Sequence, residues 1–157
     1  SDFFHFAPMR YDQMIGVWVA LEDISERAGP LRVVPGSHKL PYFFPEDIGV
    51  PIAKKSDPYR FYGDYEDSIE EIYHKSGLSD KLVTLKRGQI LLWHSNLLHG
   101  GGQIQDPSLT RKSQVTHYFG SRGVFFSPIT SPRSLLSRSF RLPFDITTGR
   151  RKIPFFK

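Results

Sequence analysis

The segment GQILLWHSNLLHGGG at residues 88–102 joins an apolar run to a histidine and three consecutive glycines. Short apolar runs bounded by turn residues are typical of buried β-strands. Histidine is the commonest metal ligand in proteins, and glycines let the backbone approach a small bound group closely. Arg111 and Ser113 follow shortly afterwards, and arginine is the usual partner of a carboxylate. The segment and the residues just after it therefore indicate a β-protein and offer two candidates, His99 as a metal ligand and Arg111 as an anion-binding residue.

The composition limits the class of protein. A length of 157 residues suits one domain, and no apolar run is long enough to span a bilayer. The lack of cysteine excludes disulfides, thiolate metal sites and cysteine nucleophiles. It is compatible with a reducing cytosol, so we predict a cytoplasmic location. The chain begins at Ser1 without a methionine, and we expect that the N-terminal part of the fold is missing.

Positive charge is concentrated near the C-terminus. Residues 132–157 contain seven lysines or arginines and one aspartate, whereas the whole chain has a formal net charge of +5. Such a tail can bind nucleic acid or an anionic membrane surface. It also carries four phenylalanines, and no nucleic-acid-binding motif accompanies the charge. We therefore expect an extension that packs on the body of the domain, with no nucleic-acid or membrane partner. The oligomeric state stays open.

Short strands dominate the predicted secondary structure. Apolar, β-rich runs between turn residues predict six of them. They are residues 14–21, 31–34, 81–86, 89–93, 113–120 and 123–127. The first of these runs is apolar throughout, which favours a strand buried on both faces.

Turn and helix signals complete this pattern. Pro35-Gly36 predicts a type II turn, and Arg87-Gly88 predicts a hairpin. An apolar stripe followed by Gly77 predicts one helix over 65–76, while the Pro-rich residues 40–63 predict a long loop. Many short strands with a single helix are typical of an all-β sandwich or barrel.

Two of the six histidines lie close to the glycine run. His94 and His99 are five residues apart, so on one extended strand they point to opposite faces. His99 is the better ligand candidate, because the glycines that follow it leave space for a small molecule. We expect His38, His74 and His94 to be structural residues.

Arg111 shares one face of a predicted strand with Ser113, Val115 and His117, by the alternation of side chains along a strand. A buried arginine is costly without an anionic partner. The spacing alone leaves two partners open. One is a bound anion, and the other is a carboxylate of the protein.

Two segments of the chain resemble the phytanoyl-CoA dioxygenase family. Residues 16–39, GVWVALEDISERAGPLRVVPGSHK, resemble its central signature, and residues 88–119 resemble a second one in the family's order. Members are non-haem Fe(II)- and 2-oxoglutarate-dependent oxygenases on a double-stranded β-helix, or jelly roll. The resemblance implies a jelly-roll core over 1–131 that is truncated at its N-terminus and carries an insertion at 40–80. The basic extension, 132–157, follows it.

The resemblance also implies a site with a His-x-Asp…His iron-binding set, in which two nitrogens and a carboxylate leave positions open for reactants. Asp2 and His99 take two ligand positions, and a third ligand is expected just before Ser1. Arg111 and Ser113 take the positions that bind the far carboxylate of 2-oxoglutarate. The implied reaction is hydroxylation of a small organic substrate by O2, with release of succinate and CO2. Because the first histidine is not in this sequence, the alternative is an inactive, metal-free jelly roll that binds a small carboxylate or a protein.

Overall fold

A computed structural model describes residues 1–8, 13–121, 123–132, 134 and 138–152. These residues form nine strands, one α-helix and four short 3-10 helices. The strands are β1 Ala7–Pro8, β2 Met14–Ala20, β3 Leu31–Val33, β4 Lys81–Val83, β5 Ile90–His94, β6 His99–Gly101, β7 Ser113–Phe119, β8 Phe125–Phe126 and β9 Phe140–Arg141. The helix, α1, spans Tyr62–Lys75. The prevalence of strands agrees with the predicted all-β class.

The chain forms two compact units. The first unit consists of Ser1, Ile15–Leu40 and Leu78–Tyr118, and the second of Asp2–Met14, Pro41–Gly77 and Phe119–Lys157. The boundary that the sequence predicts between residues 131 and 132, and the insertion predicted at 40–80, stay predictions.

The first unit contains two three-stranded sheets, with strand orders β5-β2-β7 and β4-β3-β6. Both sheets contribute side chains to one apolar core. Trp18 and Trp93 come from the first sheet, and Leu31 and Val33 from the second. Burial of this apolar surface provides the main driving force for bringing the two sheets together.

Strand β2 is buried on one face and partly exposed on the other. Gly16, Trp18 and Ala20 are buried, whereas Ile15 is 44% exposed. The prediction that this strand is buried on both faces is therefore wrong. A continuous apolar run does not reveal which of the alternating side chains lose contact with water, because the two faces carry similar residues.

The turn at Arg87-Gly88 does not close a hairpin. Strand β4 pairs with β3, and β5 pairs with β2, so the predicted partners lie in different sheets. Gln89 donates its backbone N–H to the carbonyl of Lys86 at 2.9 Å, and Gly88 has a φ of +83° whereas Arg87 does not have a positive φ. A type I′ hairpin turn needs a positive φ at both central residues. In this turn only the second central residue, Gly88, has a positive φ, as in a type II turn. After the turn the chain enters the other sheet of the unit.

The predicted turn at Pro35-Gly36 is confirmed. Ser37 donates its backbone N–H to the carbonyl of Val34 at 3.1 Å, and Gly36 has φ 90° and ψ −20°. These angles are those of the third residue of a type II turn.

The second unit contains α1 and the sheet β1-β8-β9. The helix begins three residues earlier than predicted, at Tyr62, and Gly77 ends it with a φ of +69°. Tyr65 is buried and stacks on Phe4 with ring centroids 3.6 Å apart. Within the described ranges, the chain has no helix with the length and hydropathy needed to cross a bilayer.

Candidate metal and anion site

A turn separates His94 from His99. Strand β5 ends at His94, the backbone N–H of Leu97 donates to the His94 carbonyl at 2.9 Å, and β6 begins at His99. From their spacing, the two histidines were considered on one extended strand. The structure instead places them on two strands, β5 and β6. The Asn96 N–H donates to Nδ1 of His94 at 3.1 Å, and the Asn96 side-chain amide donates to the carbonyl of Leu40 at 2.8 Å. His94 thus takes part in the hydrogen bonds of the turn, in agreement with the structural role expected for it.

The His99 ring is held in a defined orientation. Its Nδ1 lies 2.9 Å from the carbonyl oxygen of Leu97. Since a carbonyl can only accept, Nδ1 carries the hydrogen, and Nε2 of the neutral ring keeps its lone pair. The indole of Trp93 packs against the ring with centroids 4.9 Å apart and an interplanar angle of 47°. A carbonyl that accepts a hydrogen bond from one ring nitrogen is a common means of orienting histidines that bind metals through the other nitrogen.

The three glycines after His99 meet different surroundings. His99 is paired with Val33 and Gly101 with Leu31, so His99 and Gly101 lie on the same face of β6. A Cβ atom at Gly100 or Gly101 would meet no heavy atom within 4 Å. A Cβ at Gly102 would lie 2.7 Å from the carbonyl oxygen of Pro30. Gly101 therefore leaves open space beside His99, whereas Gly102 is required by close backbone packing.

Arg111 lies just before β7 and is half-buried. Its Nη1 donates to the carbonyl oxygen of Gly29 at 2.8 Å. It forms no ion pair with a carboxylate among the described residues, so the protein-carboxylate partner left open by the sequence is not found there. Ser113, the first residue of β7, is half-buried as well. Most of the N–H donors of the guanidinium are left for an added anion.

Glu22 is a residue that the sequence did not point to. Its Oε1 accepts the hydroxyl of Thr110 at 2.6 Å and the backbone N–H of Lys112 at 2.7 Å, on either side of Arg111. The hydrogen bond from Thr110, followed by that from Lys112, holds the pKa of the Glu22 carboxyl below its ordinary value. Glu22 therefore fixes the segment that carries Arg111. Nothing in the sequence pairs residues that lie 88 positions apart.

We expect Glu22→Gln to lower the midpoint of thermal unfolding at pH 7, by an amount that shrinks as the pH falls. A carboxyl whose pKa is lowered on folding stabilises the protein above its unfolded pKa, and this contribution is lost as the pH falls through the folded value. Thermal melts between pH 7 and pH 3 measure this. Glu26→Gln, an exposed acid of the same loop, is the control. The role given to Glu22 would be contradicted if the midpoint of Glu22→Gln were lowered equally at every pH, or if Glu26→Gln showed the same decrease.

Asp2 lies in the second unit, in a 3-10 helix over Asp2–Phe4, and is 8% exposed. Its carbonyl oxygen accepts the N–H groups of His5 at 3.0 Å and Phe6 at 2.8 Å. His99, Arg111 and Ser113 all belong to the first unit. Within the part of the chain that the structure describes, no three His, Cys, Asp or Glu side chains form a group that could hold a metal ion.

The match to a family model covers most of this chain. Residues 1–113 match the model described as phytanoyl-CoA dioxygenase. The chain belongs to the phytanoyl-CoA dioxygenase family. It is 30% identical over 120 residues to the peroxisomal phytanoyl-CoA dioxygenase of Homo sapiens, across 73% of this chain and 31% of that protein. The Rattus norvegicus enzyme of the same name is 29% identical over 125 residues, across 74% of this chain and 32% of that protein. The chain thus spans about a third of the length of these family members.

Solved structures support the fold of this family member. The crystal structure of EctD from S. alaskensis with bound Fe has a TM-score of 0.54 at 23% identity, covering 85% of this chain and 41% of that one. The crystal structure of SnoK, a non-heme alpha ketoglutarate dependent carbocyclase from nogalamycin biosynthesis, has a TM-score of 0.53 at 14% identity, covering 79% and 44%. At these identities the likeness concerns the fold, and it confirms the predicted double-stranded β-helix, or jelly roll.

Proposed function

We propose that the protein is a non-haem Fe(II)- and 2-oxoglutarate-dependent dioxygenase that hydroxylates a small organic substrate with O2, releasing succinate and CO2. The observation that carries this proposal is the arrangement around His99. Its Nδ1 lies 2.9 Å from the Leu97 carbonyl oxygen, and the residue lies on the same face of β6 as the open space at Gly101, in the segment that matches the family. A cytoplasmic location is part of the proposal, and the lack of cysteine is compatible with it.

The residues present suit iron at His99. A neutral imidazole with its other nitrogen bound to a carbonyl is a good ligand for Fe(II). His99 and Asp2 would hold the metal, together with the third ligand expected just before Ser1. Bound iron would supply the activation of O2 and the oxidation of the substrate, which protein side chains cannot perform. The chain itself contributes the orientation of the His99 ring, through Leu97 and Trp93.

The proposed contacts with 2-oxoglutarate use Arg111 and Ser113. The guanidinium is tethered to Gly29 through Nη1, which leaves its other N–H groups to bind the far carboxylate. The hydroxyl of Ser113, two residues along the chain, would donate a further hydrogen bond. Since Gly29 precedes the strand that pairs with His99 and Gly101, Arg111 is anchored beyond the open space at Gly101. This order suits a linear molecule with an anionic group at each end.

The test is succinate formation from 2-oxoglutarate, with Fe(II) and without it. We expect turnover that stops when a chelator removes the metal and returns when Fe(II) is added. Uncoupled conversion of 2-oxoglutarate is measurable before the organic substrate is known. A protein that binds Fe(II) but forms no succinate under any condition would contradict the dioxygenase proposal.

Arg111→Ala is expected to raise the KM for 2-oxoglutarate roughly 10- to 100-fold, since hydrogen bonds to a charged group contribute about 1.5–3 kcal/mol. Arg111→Lys is expected to recover part of this loss, because it keeps the charge and loses the planar fork. Succinate formation at varied 2-oxoglutarate concentrations measures both. Arg87→Ala removes an exposed arginine of the same unit and is the control. An unchanged KM in Arg111→Ala would remove Arg111 from the site.

The second candidate is a metal-free jelly roll that binds a small carboxylate or a protein. The lack of a three-residue metal group among the described residues favours it. Calorimetric titration with Fe(II) under anaerobic conditions separates the two functions. Binding at about one ion per chain, lost in His99→Ala, supports the dioxygenase. A protein that binds 2-oxoglutarate but not Fe(II) supports the metal-free alternative.

A further inference from the structure

A cavity of about 320 Å³ lies in the second unit, and its lining does not include Asp2, His99, Arg111 or Ser113. Its aromatic wall consists of Phe6, Phe119 and Phe125. The Phe119 and Phe125 ring centroids are 4.4 Å apart, and those of Phe6 and Phe119 are 6.4 Å apart. Leu142 and Pro143 extend the apolar lining. This volume lies at the lower end of the range for pockets that bind small molecules.

Two arginines complete the lining of this cavity. Arg141 of β9 lies opposite Phe125 of β8, and its Cζ is 4.6 Å from the centroid of the Phe6 ring. Arg151 donates from Nη1 to the carbonyl of Leu142 at 3.1 Å. Stacking on an aromatic face holds a guanidinium in place while leaving the N–H groups at its edge able to bind a further acceptor.

Neither arginine is neutralised by a carboxylate in the part of the chain that the structure describes. Residues 132–157 contain one acid, Asp145. Its Oδ1 accepts the hydroxyl of Thr147 at 2.6 Å and the backbone N–H of Thr147 at 2.8 Å. The hydrogen bond from the Thr147 hydroxyl has the largest effect on the pKa of the Asp145 carboxyl. Together with the backbone hydrogen bond it holds this pKa below its ordinary value. The acid is therefore engaged in its own turn, and the described residues place no carboxylate against the two guanidiniums that line the cavity.

We propose that this cavity binds an aromatic carboxylate, with the ring against the phenylalanines and the carboxylate on Arg141 and Arg151. Aromatic rings pack on one another in tilted or offset arrangements, which the Phe119–Phe125 pair already shows. The paired N–H groups of a guanidinium match the two oxygens of a carboxylate. An inorganic anion would leave the aromatic wall uncovered, and a neutral ring would leave both charges unmatched. The proposal is independent of the proposed dioxygenase activity.

The experiment compares 2-naphthoate with 2-naphthamide, its uncharged analogue, by isothermal titration calorimetry on the intact protein. We expect the acid to bind at least about tenfold more tightly than the amide, as for a charge-assisted contact. Arg141→Gln and Arg151→Gln are each expected to reduce that preference to about threefold or less, and Arg141→Lys to keep part of it. Arg150→Gln is the matched control, because it removes the same charge from the same segment and its side chain does not line the cavity.

Three results would overturn the proposal. They are equal affinities for the acid and the amide, an equal loss in Arg150→Gln, and no binding of 2-naphthoate to the wild-type protein. Circular dichroism of each variant verifies that the fold is kept, and Arg141→Lys provides a variant with unchanged net charge. Arg111→Ala is expected to leave the affinity for 2-naphthoate unchanged, so failure of the dioxygenase proposal and failure of this one are distinguishable.

Discussion

His99→Ala is expected to abolish succinate formation and to reduce the affinity for Fe(II) more than about 100-fold. Loss of a residue that only hydrogen-bonds to a metal ligand already lowers metal affinity or activity about 10- to 100-fold, and removal of the ligand itself costs more. The substitution removes the proposed ligand, whose ring is oriented by the contact between Nδ1 and the carbonyl oxygen of Leu97. Fe(II) titration and a succinate assay on the same preparations measure the two effects.

His94→Ala is the matched control for that experiment. It removes an imidazole five residues earlier, from the end of β5, where Nδ1 accepts the backbone N–H of Asn96. We expect it to keep Fe(II) binding and turnover, with a loss of unfolding free energy of about 1 kcal/mol for the hydrogen bond. If His94→Ala abolishes turnover and His99→Ala does not, the ligand has been assigned to the wrong side of the turn.

Features whose signal lies within a few residues could be predicted from the sequence. The type II turn at Pro35-Gly36 depends on one fixed φ and one positive φ, and both are present. The helix α1 follows from its apolar stripe and from Gly77 at its end. Strands β2 and β7 follow from their apolar, β-rich residues.

Strand partners could not be predicted in the same way. The sequence joined 81–86 to 89–93 because they are neighbours in the chain, but β4 pairs with β3 and β5 pairs with β2, in different sheets. The same limit applies to Glu22, whose contacts with Thr110 and Lys112 depend on the folding of distant segments together. Local composition carries no information on such pairs.

The candidate site was predictable in part. His99, Arg111 and Ser113 lie in segments whose motif and family resemblance mark them, and the structure brings them into one unit. What the sequence could not supply is the support of each side chain. The bond from His99 to the Leu97 carbonyl and that from Arg111 to Gly29 are backbone contacts, which any residue type at those positions can provide.

Gly16→Ala is expected to destabilise the protein by about 1–3 kcal/mol, as overpacking of a core does, and to lower the thermal midpoint by roughly 2 to 10 °C. Gly16 lies opposite Trp93 in the β2–β5 pair, and a Cβ there would clash with the indole, including its Cζ2 at 2.7 Å. The φ of Gly16 is not positive, so alanine can adopt this backbone conformation. Without the clash, Gly16→Ala would stabilise the protein by about 0.4–1 kcal/mol, because it lowers the conformational entropy of the unfolded chain. The sign of the measured change therefore reports the clash.

A double-mutant cycle tests whether Trp93 is the group that Gly16 accommodates. Trp93→Phe offers a smaller ring, so Gly16→Ala should cost less in that background than in the wild type. Gly63→Ala is the control, because a Cβ at Gly63 meets nothing within 4 Å and alanine favours a helix. Because Trp93 packs on the His99 ring at 4.9 Å, Gly16→Ala is also expected to weaken Fe(II) binding. Stabilisation by Gly16→Ala like that by Gly63→Ala, or an equal cost in both backgrounds, would show that the indole is not held where the structure places it.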